Sequence, residues 1–405
     1  AELIIEAVSA EAVGETGAMP EVSHEISERP ESAYETAMTA PVFINRQWTD
    51  TRFVRREQMQ PGDTLTGPAV LVEPHTSILV SPGWQARITG HDHVALTRVV
   101  ARDKRQAVGT EADPIMLEVF NNLYMSIAEQ MGAVLENTAA SVTIKERLDF
   151  SCAVFEAAGD LISNAQHMPL HLGSMGASVK AIIAQNPDMV PGDVFVLNAP
   201  YNGGTHLPDI TVVTPVWNED GTEILFFTSA RGHHTDVGGL TPGSMPPDSR
   251  SIHDEGAYID NWKLVDRGTF REAETRDLLL GAKYPVRSVD INIADLKAQV
   301  ASCEKGAQEL RKMVAQFGLD VVQAYMGHVQ DNAEECVRRA ITTLRDATYT
   351  YHMDPDYDGQ DRKIEVKISV DHDARSATVD FTGTTAQLKT NYNAPEPVTM
   401  AAVLY

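Results

Sequence analysis

The alternation of apolar and polar positions is clearest over residues 193–230, where three apolar runs are separated by turn signals. The runs cover residues 193–198, 210–217 and 224–230, and the sequence Asn-Glu-Asp-Gly at 218–221 separates the last two. Short runs rich in β-branched and aromatic residues predict strands. We expect the second and third runs to form a hairpin, which would place the start of one strand beside the end of the other.

Longer segments repeat apolar residues every three or four positions, which is the spacing of an amphipathic helix. One such helix is predicted to begin at Pro114, with Asp113 as its N-cap. Two more are predicted, one over residues 287–317 that ends at Gly318 and one over about 320–345. Because these two follow each other directly, we expect an antiparallel pair packed on a sheet.

The N-terminal part of the chain has a different pattern. Residues 1–40 are acidic and poor in large apolar groups, which predicts a peripheral segment. Residues 41–100 contain short apolar runs separated by Pro-Gly turns, a pattern typical of a small β-rich domain. Residues 101–112 are charged and turn-like, as in a linker.

The remaining residues, 113–405, are expected to form one larger domain. Near its end, residues 363–370 alternate with period two and predict a hairpin with residues 377–381. The fold class is therefore predicted to be α+β, with a small β-rich N-terminal domain followed by a larger mixed-sheet domain that carries long helices.

Charge and composition narrow the possible functions. The chain has 405 residues and a formal net charge of −24, so we expect neither nucleic acid nor a membrane as a partner. It contains neither a run of 18 apolar residues nor a signal peptide, which favours a cytoplasmic protein. Cys152, Cys303 and Cys336 lie far apart in apolar patterns and are predicted to be buried free thiols.

Glycine, histidine and aspartate recur in the two loops that flank the predicted hairpin. Six of the 13 histidines lie between His167 and His253. Histidine together with aspartate is typical of a metal site or of proton transfer. If the hairpin forms, the two loops converge on one point. The loops contain Gly203, Gly204, His206 and Asp209 on one side, and His233, His234, Asp236, Gly238 and Gly239 on the other.

Three other segments carry candidate chemistry. Glu146 and Asp149 precede an apolar run at 150–155 and are either a solvated edge or site residues. His167 and His171 are four residues apart, but a proline between them favours a loop or a helix start over one shared helical face. Residues 248–260 are predicted to form a long polar loop that could cover or line the site.

Residues 113–405 resemble the hydantoinase B/oxoprolinase family. The resemblance is carried by the motifs ERLDFSCAVF, QHMPLHLGSM, NAPYNGGTHLPDITVVTPV, RGHHTDVGGLTPGSMP and DFTGTT. Residues 41–100 resemble the C-terminal end of the hydantoinase A family through MQPGDTLTGPAVLVEPHTSILVSPGWQARI. An A end fused to a B start is similar to the arrangement of ATP-dependent 5-oxoprolinases. We expect the chain to be a piece of a longer protein, with its B-like part truncated at the C-terminal end.

The resemblance implies a hydrolase that opens the lactam of 5-oxo-L-proline to L-glutamate with ATP hydrolysis. ATP and Mg would bind mainly to the missing hydantoinase A part, and the rest of both units would be partners in an oligomer. Related families open N-methylhydantoins or carboxylate acetone and acetophenone, and these activities are the alternatives. A metal-binding assembly subunit without catalytic activity is a hypothesis of another class.

The resemblance also allows a divalent metal in the B-like part. Mixed histidine and carboxylate ligands suit Zn, Mn or Fe. We expect His206 and Asp209 to be ligands, with Glu146 and His234 as further candidates.

Water activation for the ring opening requires a metal or a general base. The candidate catalytic residues are His233, His234 and Asp236, and the candidate substrate-binding residues are Gly203, Gly204, Gly238 and Gly239.

Overall fold

The computed structural model describes residues 23–27, 29–44, 47–100, 109–165, 167–243, 245–354 and 361–405. The chain divides into two compact units, Ala1–Gln106 and Ala107–Tyr405. This division falls within the predicted linker, of which residues 101–108 lie outside the described residues. No helix in the described part of the chain is both long enough and apolar enough to cross a bilayer.

The first unit is built from two small sheets. One sheet has the order β1-β2-β4-β5 and the other β3-β6-β7, and the residues between and around them form an apolar core. The predicted β-rich character is confirmed. The strands are β1 (Thr36–Ile44), β2 (Gln47–Arg55), β3 (Thr64–Thr66), β4 (Ala69–Val72), β5 (Ser77–Val80), β6 (Trp84–Ile88) and β7 (Val94–Arg98).

This β structure begins before residue 41. Strand β1 starts at Thr36, Tyr34 is buried, and Arg29 donates to Asp63 through Nε at 3.0 Å. The later part of the segment predicted as peripheral therefore packs with the β unit, because a buried aromatic ring and an ion pair hold it there. Residues 1–22 lie outside the described residues.

The second unit contains the remaining strands and the α-helices. Its strands are β8 (Phe150–Glu156), β9 (Leu161–Asn164), β10 (Val194–Leu197), β11 (Asp209–Trp217), β12 (Ile224–His233), β13 (Trp262–Asp266), β14 (Thr269–Phe270), β15 (Ala347–Met353), β16 (Arg362–Asp371) and β17 (Ser376–Asp380). Its helices are α1 (Pro114–Thr138), α2 (Val142–Lys145), α3 (Pro169–Leu172), α4 (Met175–Gln185), α5 (Ile252–Glu255), α6 (Glu272–Leu280), α7 (Val289–Phe317), α8 (Leu319–Ile341) and α9 (Glu396–Leu404). The α+β prediction is confirmed.

A seven-stranded antiparallel sheet lies at the centre of this unit, in the order β14-β13-β10-β11-β12-β8-β9. The predicted hairpin is its β11–β12 pair. Helices α1 and α7 cover one face, where Met131 and Leu296 belong to the larger apolar core, and α4 covers the other, where Val179 packs with Phe227. With helices on both faces, β11 is buried from its first residue to its eighth.

The helix boundaries follow local rules. The Asp113 side chain accepts hydrogen bonds from the backbone of Ile115 and Met116, so the predicted N-cap of α1 is confirmed. Gly318 has a φ of 90° and separates α7 from α8, as predicted. The hairpin at the C-terminal end is also confirmed, and β15 extends it to a three-stranded sheet.

The prediction for one cysteine is wrong. Cys152 and Cys303 are buried, but Cys336 is exposed. It lies on the second half of α8, where Val337 is 56% exposed. The apolar period continues there in the sequence, but both side chains remain exposed on this part of the helix.

Candidate functional site

The hairpin brings the two glycine-rich loops together. Asp209 is the first residue of β11 and His233 is the last residue of β12, and the two are paired in the antiparallel register. His206 lies in the loop before β11. His206, Asp209 and His233 each offer one ligand atom, and these three atoms all lie within 4.8 Å of one another. The geometry therefore forms one cluster from the ends of two adjacent strands.

Asp209 is the centre of this cluster. Its side chain is 1% exposed, and its Oδ2 accepts a hydrogen bond from Thr205 Oγ1 at 2.6 Å. The same oxygen lies 3.1 Å from His206 Nδ1 and 3.2 Å from His171 Nε2. The second oxygen, Oδ1, is buried and has no hydrogen-bond partner among the described residues. A buried acceptor without a partner is costly, so Oδ1 is suited to a bound cation or a ligand donor.

The two flanking histidines hold Asp209 in its ionised form. Burial alone would raise the pKa of Asp209, but the charges and hydrogen bonds of His171 and His206 outweigh it. The pKa of this carboxyl therefore lies well below its ordinary value. At neutral pH the group carries a negative charge.

His171 is fixed on its other side by a serine. Its Nδ1 lies 3.0 Å from Ser151 Oγ, and the ring is buried. Because the Asp209 carboxylate only accepts, Nε2 of His171 carries the hydrogen of that contact, and Ser151 Oγ shares a hydrogen bond with Nδ1. Pro169 begins the short helix α3 that carries His171, so the sequence-based choice between a loop and a helix start resolves to a helix start.

His167, the other histidine of that segment, has a different environment. Its Nδ1 accepts from the backbone N–H of Cys152 at 3.2 Å, and its ring packs on Phe150. Burial, and then the neighbouring His171, lower the pKa of His167 to about 4. This ring is therefore neutral at physiological pH.

Beneath the cluster lies a fully buried arginine. Arg231 is two residues before His233 on β12, so both side chains leave the same face of the sheet. Its Nε donates to Thr211 Oγ1 at 2.8 Å, its Nη2 donates to Ser178 Oγ at 2.8 Å, and its Nη1 donates to Ser174 Oγ. Burial lowers the pKa of Arg231 to about 10, against the opposing effect of Asp209. The cation remains charged and complements the buried carboxylate.

His233 and His234 have separate surroundings. Burial lowers the pKa of His233, although Asp209 partly opposes that effect. His234 lies outside the three-residue cluster, since its Nε2 is 3.0 Å from Gln299 Oε1 and its Nδ1 is 3.1 Å from Asn292 Nδ2, both on α7. Burial also lowers the pKa of His234. The sequence-predicted pair is therefore divided between the cluster and the α7 face.

The other predicted charged residues lie outside the cluster. Asp236 forms an ion pair with Arg287 at 2.7 Å, and that arginine also donates to the carbonyl oxygens of Gly238 and Gly239. These contacts order the second glycine-rich loop. Glu146 is exposed at the end of α2.

The first glycine-rich loop is packed closely against α4. Gly203 has a φ of 86°, and a Cβ there would lie 2.6 Å from the Ala177 carbonyl oxygen. A side chain at Gly204 would lie 2.7 Å from the Ala199 carbonyl oxygen. In this structure both glycines allow backbone to approach backbone, which sets the path of the chain toward His206.

A cavity of about 190 Å³ opens beside the cluster. Its wall includes Thr205, His206, Glu255, Arg250 and Lys389. Glu255 comes from the loop that the sequence suggested as a cover, and burial raises its pKa. A larger cavity of about 600 Å³ lies between α4 and α9, but His206 is not on its wall.

Sequence reasoning missed several residues that complete this site. Arg231 interrupts an apolar strand, and a buried charge in such a run is a usable signal. Thr205 directly precedes a candidate ligand. Glu255 lies in the polar loop at 248–260 that the sequence suggested could line the site, whereas Lys389 gave no local signal because it reaches the cavity only through the tertiary fold.

Two imidazoles and one carboxylate form a donor set that Zn, Mn and Fe accept. The buried Asp209 Oδ1 lacks a partner, and His206 and His233 offer ring nitrogens beside it. The residues present therefore fit a divalent metal ion.

Two protein families match this chain. Residues 113–405 match Hydantoinase B/oxoprolinase, and residues 3–99 match the Hydantoinase/oxoprolinase C-terminal domain. The 5-oxoprolinase 1 of Arabidopsis thaliana is 39% identical over 90% of this chain, and the 5-oxoprolinase of Dictyostelium discoideum is 41% identical over 88%. This chain covers 30% and 28% of the lengths of those two proteins.

Solved structures show the same fold. The ATP-dependent caprolactamase from Pseudomonas jessenii matches with a TM-score of 0.65 and 27% identity, over 72% of this chain and 50% of that one. An acetone carboxylase matches with a TM-score of 0.63 and 19% identity, over 72% of this chain and 40% of that one, which supports the fold alone. With residues 113–405 matched, the chain belongs to the hydantoinase B/oxoprolinase family.

Proposed function

We propose that this chain forms the ring-opening part of an ATP-dependent enzyme that hydrolyses a cyclic amide, with 5-oxo-L-proline opened to L-glutamate. The observation that carries the proposal is the cluster of His206, Asp209 and His233 beside a small cavity. The relatives named 5-oxoprolinase support this substrate. The caprolactamase supports ring opening of a lactam coupled to ATP.

Coupling to ATP has a chemical reason. An unstrained lactam resists attack by water at neutral pH, whereas transfer of a phosphoryl group to its oxygen creates a good leaving group. Water then adds, and the products are the open-chain acid, ADP and phosphate. We assign ATP and Mg to the parts of the protein that correspond to the rest of a hydantoinase A unit.

The cluster residues have distinct roles in this proposal. His206, Asp209 and His233 would hold a divalent metal, which when bound polarises an oxygen and lowers the pKa of water. Thr205 and His171 orient the Asp209 carboxylate through Oδ2 and leave Oδ1 free to bind. Since outer partners of a metal ligand fix its orientation, they belong to the functional unit.

His233 also offers proton chemistry. Because burial lowers the pKa of His233, its ring is neutral at pH 7, and a neutral imidazole can accept a proton or bind a metal. The imidazole is 5.2 Å from that of His206, measured between ring centroids. Both histidines therefore serve one small reaction volume.

The test is turnover by the full-length protein, with ADP and L-glutamate quantified together. Matched release of both products, dependent on 5-oxo-L-proline, is the expected result. Release of ADP only with hydantoins or ketones would point to a sister activity instead. No nucleotide turnover with any of these would favour the assembly-subunit hypothesis.

Variants then connect turnover to the cluster. We expect Asp209→Asn to lower kcat by more than about 100-fold, beyond the loss typical of an outer partner of a metal ligand. Glu146→Gln is the matched control, because Glu146 is exposed and outside the cluster. Equal activity in wild type and Asp209→Asn, with the fold intact by circular dichroism, would remove the cluster from the mechanism.

A further inference from the structure

The cavity beside His206 has the size of a small ring and an unusual charge. Its volume of about 190 Å³ is below the roughly 300–1,000 Å³ of pockets for drug-sized ligands. Three segments form its wall, residues 200–206, 245–255 and 387–395. All three belong to the second unit, so this unit alone supplies the cavity.

Two cationic side chains line this cavity. Arg250 and Lys389 contribute to the wall together with His206, whereas Glu255 is the one carboxylate among the described residues of the wall. The chain carries a formal net charge of −24, so two cations around one small cavity are a local exception to the charge of the molecule. A cleft lined by one sign of charge concentrates ligands of the opposite sign.

Ser249 contacts both charged groups of the Arg250 loop, since its carbonyl oxygen accepts from Arg250 Nη1 at 3.3 Å and its hydroxyl reaches Glu255. Glu255 Oε1 accepts a hydrogen bond from Ser249 Oγ at 3.4 Å. Lys389 is exposed and forms no ion pair or hydrogen bond with any residue that the structure describes.

The segment that carries Lys389 is rigidly built. Asn393 accepts from the backbone of Leu388 at 2.8 Å and donates back to the carbonyl oxygens of Leu388 and Thr390. Asn391 ties this segment to the loop of Arg250 by donating to the Pro246 carbonyl oxygen at 2.9 Å. The backbone around Lys389 is therefore fixed before a ligand arrives, which lowers the entropy cost of binding.

The loop of Arg250 is fixed as well. The backbone N–H of Arg250 donates to Asp254 Oδ2 at 3.2 Å, and the other oxygen of Asp254 accepts from Lys283 at 2.6 Å. Ser251 caps the short helix α5 that follows. Both cations therefore extend from ordered backbone on the wall of one cavity.

We propose that Arg250 and Lys389 bind the carboxylate of a carboxylated cyclic amide in this cavity, and so make the enzyme prefer an anionic ring over an uncharged one. The inference rests on the proposed function and specifies its substrate class. Arginine and lysine both recognise carboxylates, arginine through a planar fork and lysine as a point charge. The neighbouring His206 would then lie beside the amide end of the same molecule.

The test is direct binding to the full-length protein without ATP, measured by calorimetry. The ligands are 5-oxo-L-proline and 2-pyrrolidinone, which is the same ring without the carboxylate. The variants are R250Q, K389Q and the double variant, and K312Q is the control because Lys312 lies on α7, paired with Glu309.

We expect the double variant to bind 5-oxo-L-proline about 10- to 100-fold more weakly, since it loses charge-assisted contacts, and to bind 2-pyrrolidinone as wild type does. K312Q should leave both affinities unchanged. Unchanged affinity for the acid in the double variant would overturn the inference, as would an equal loss for both ligands or no binding of the acid by wild type.

Turnover separates this inference from the proposed function. If the double variant binds the acid normally but loses turnover with both rings, the cations contact a phosphoryl group, and the carboxylate assignment is overturned. If selective binding of the acid persists but Asp209→Asn turns over like wild type, the inference stands and the proposed role of the cluster fails.

Discussion

Replacement of His171 by leucine is a sharp test of how the site is built. His171 is buried, and its ring joins Asp209 Oδ2 at 3.2 Å to Ser151 Oγ at 3.0 Å. Leucine fills much of the same volume but offers no hydrogen bond. His171→Gln is the matched control, because its amide nitrogen can still donate from nearly the position of Nε2.

The contacts of His171 set the expected losses in the free energy of unfolding and in metal affinity. A hydrogen bond to a charged group contributes about 1.5–3 kcal/mol, so His171→Leu should lower the free energy of unfolding by about that amount. It should also weaken metal binding by about 10- to 100-fold, because loss of the outer partner of a ligand lets Asp209 rotate. His171→Gln should retain most of the free energy of unfolding and most of the metal affinity.

The assay combines urea unfolding of the metal-free protein with titration of Zn²⁺ or Mn²⁺ against a competing chelator. We expect His171→Leu to lose more than twofold in metal affinity, whereas His171→Gln should not. Metal affinity unchanged in His171→Leu would refute the role of His171 in holding Asp209. A loss of stability without a loss of affinity would give His171 a structural role only.

Three further predictions concern other residues. Gly203→Ala should lower the free energy of unfolding in urea by about 1–3 kcal/mol, because φ is 86° and the Ala177 carbonyl oxygen is close. The control Gly327→Ala, which has open space in α8, should be neutral or stabilising. Equal effects of the two substitutions would contradict this. Cys336 should react with a thiol reagent in the folded protein, because it is the exposed cysteine, and the C336S variant should lose this fast reaction. A fast reaction that persists in C336S would contradict this, since it would show that Cys152 or Cys303 is accessible. Burial lowers the pKa of His167 from an ordinary 6.5 to about 4 in the folded protein, so the free energy of unfolding should fall as the pH drops from 6.5 to 4. The His167→Asn variant should show a smaller fall of its urea midpoint over this range. Parallel plots of urea midpoint against pH for the variant and wild type would contradict this.

Local rules predicted much of the fold from the sequence. A turn of four polar residues between two apolar runs defines the β11–β12 hairpin, and the hairpin alone brings Asp209 beside His233. Asp113 and Gly318 marked helix ends because their caps depend on neighbouring residues only. Such features need no knowledge of distant contacts.

The rest depended on contacts between distant parts of the chain. A shift of one residue moves a strand side chain to the opposite face, so the sequence did not separate His233 from His234. His171 comes from another element, 38 residues before Asp209. Lys389 reaches the cavity through a segment that only the tertiary structure places there.

The metal content of the full-length protein tests the central claim most directly. After dialysis, mass spectrometry should find one divalent ion per chain in wild type and in Glu146→Gln, and none in Asp209→Asn. That result would assign the ion to the cluster of His206, Asp209 and His233. A folded Asp209→Asn protein that retains the ion would contradict the account.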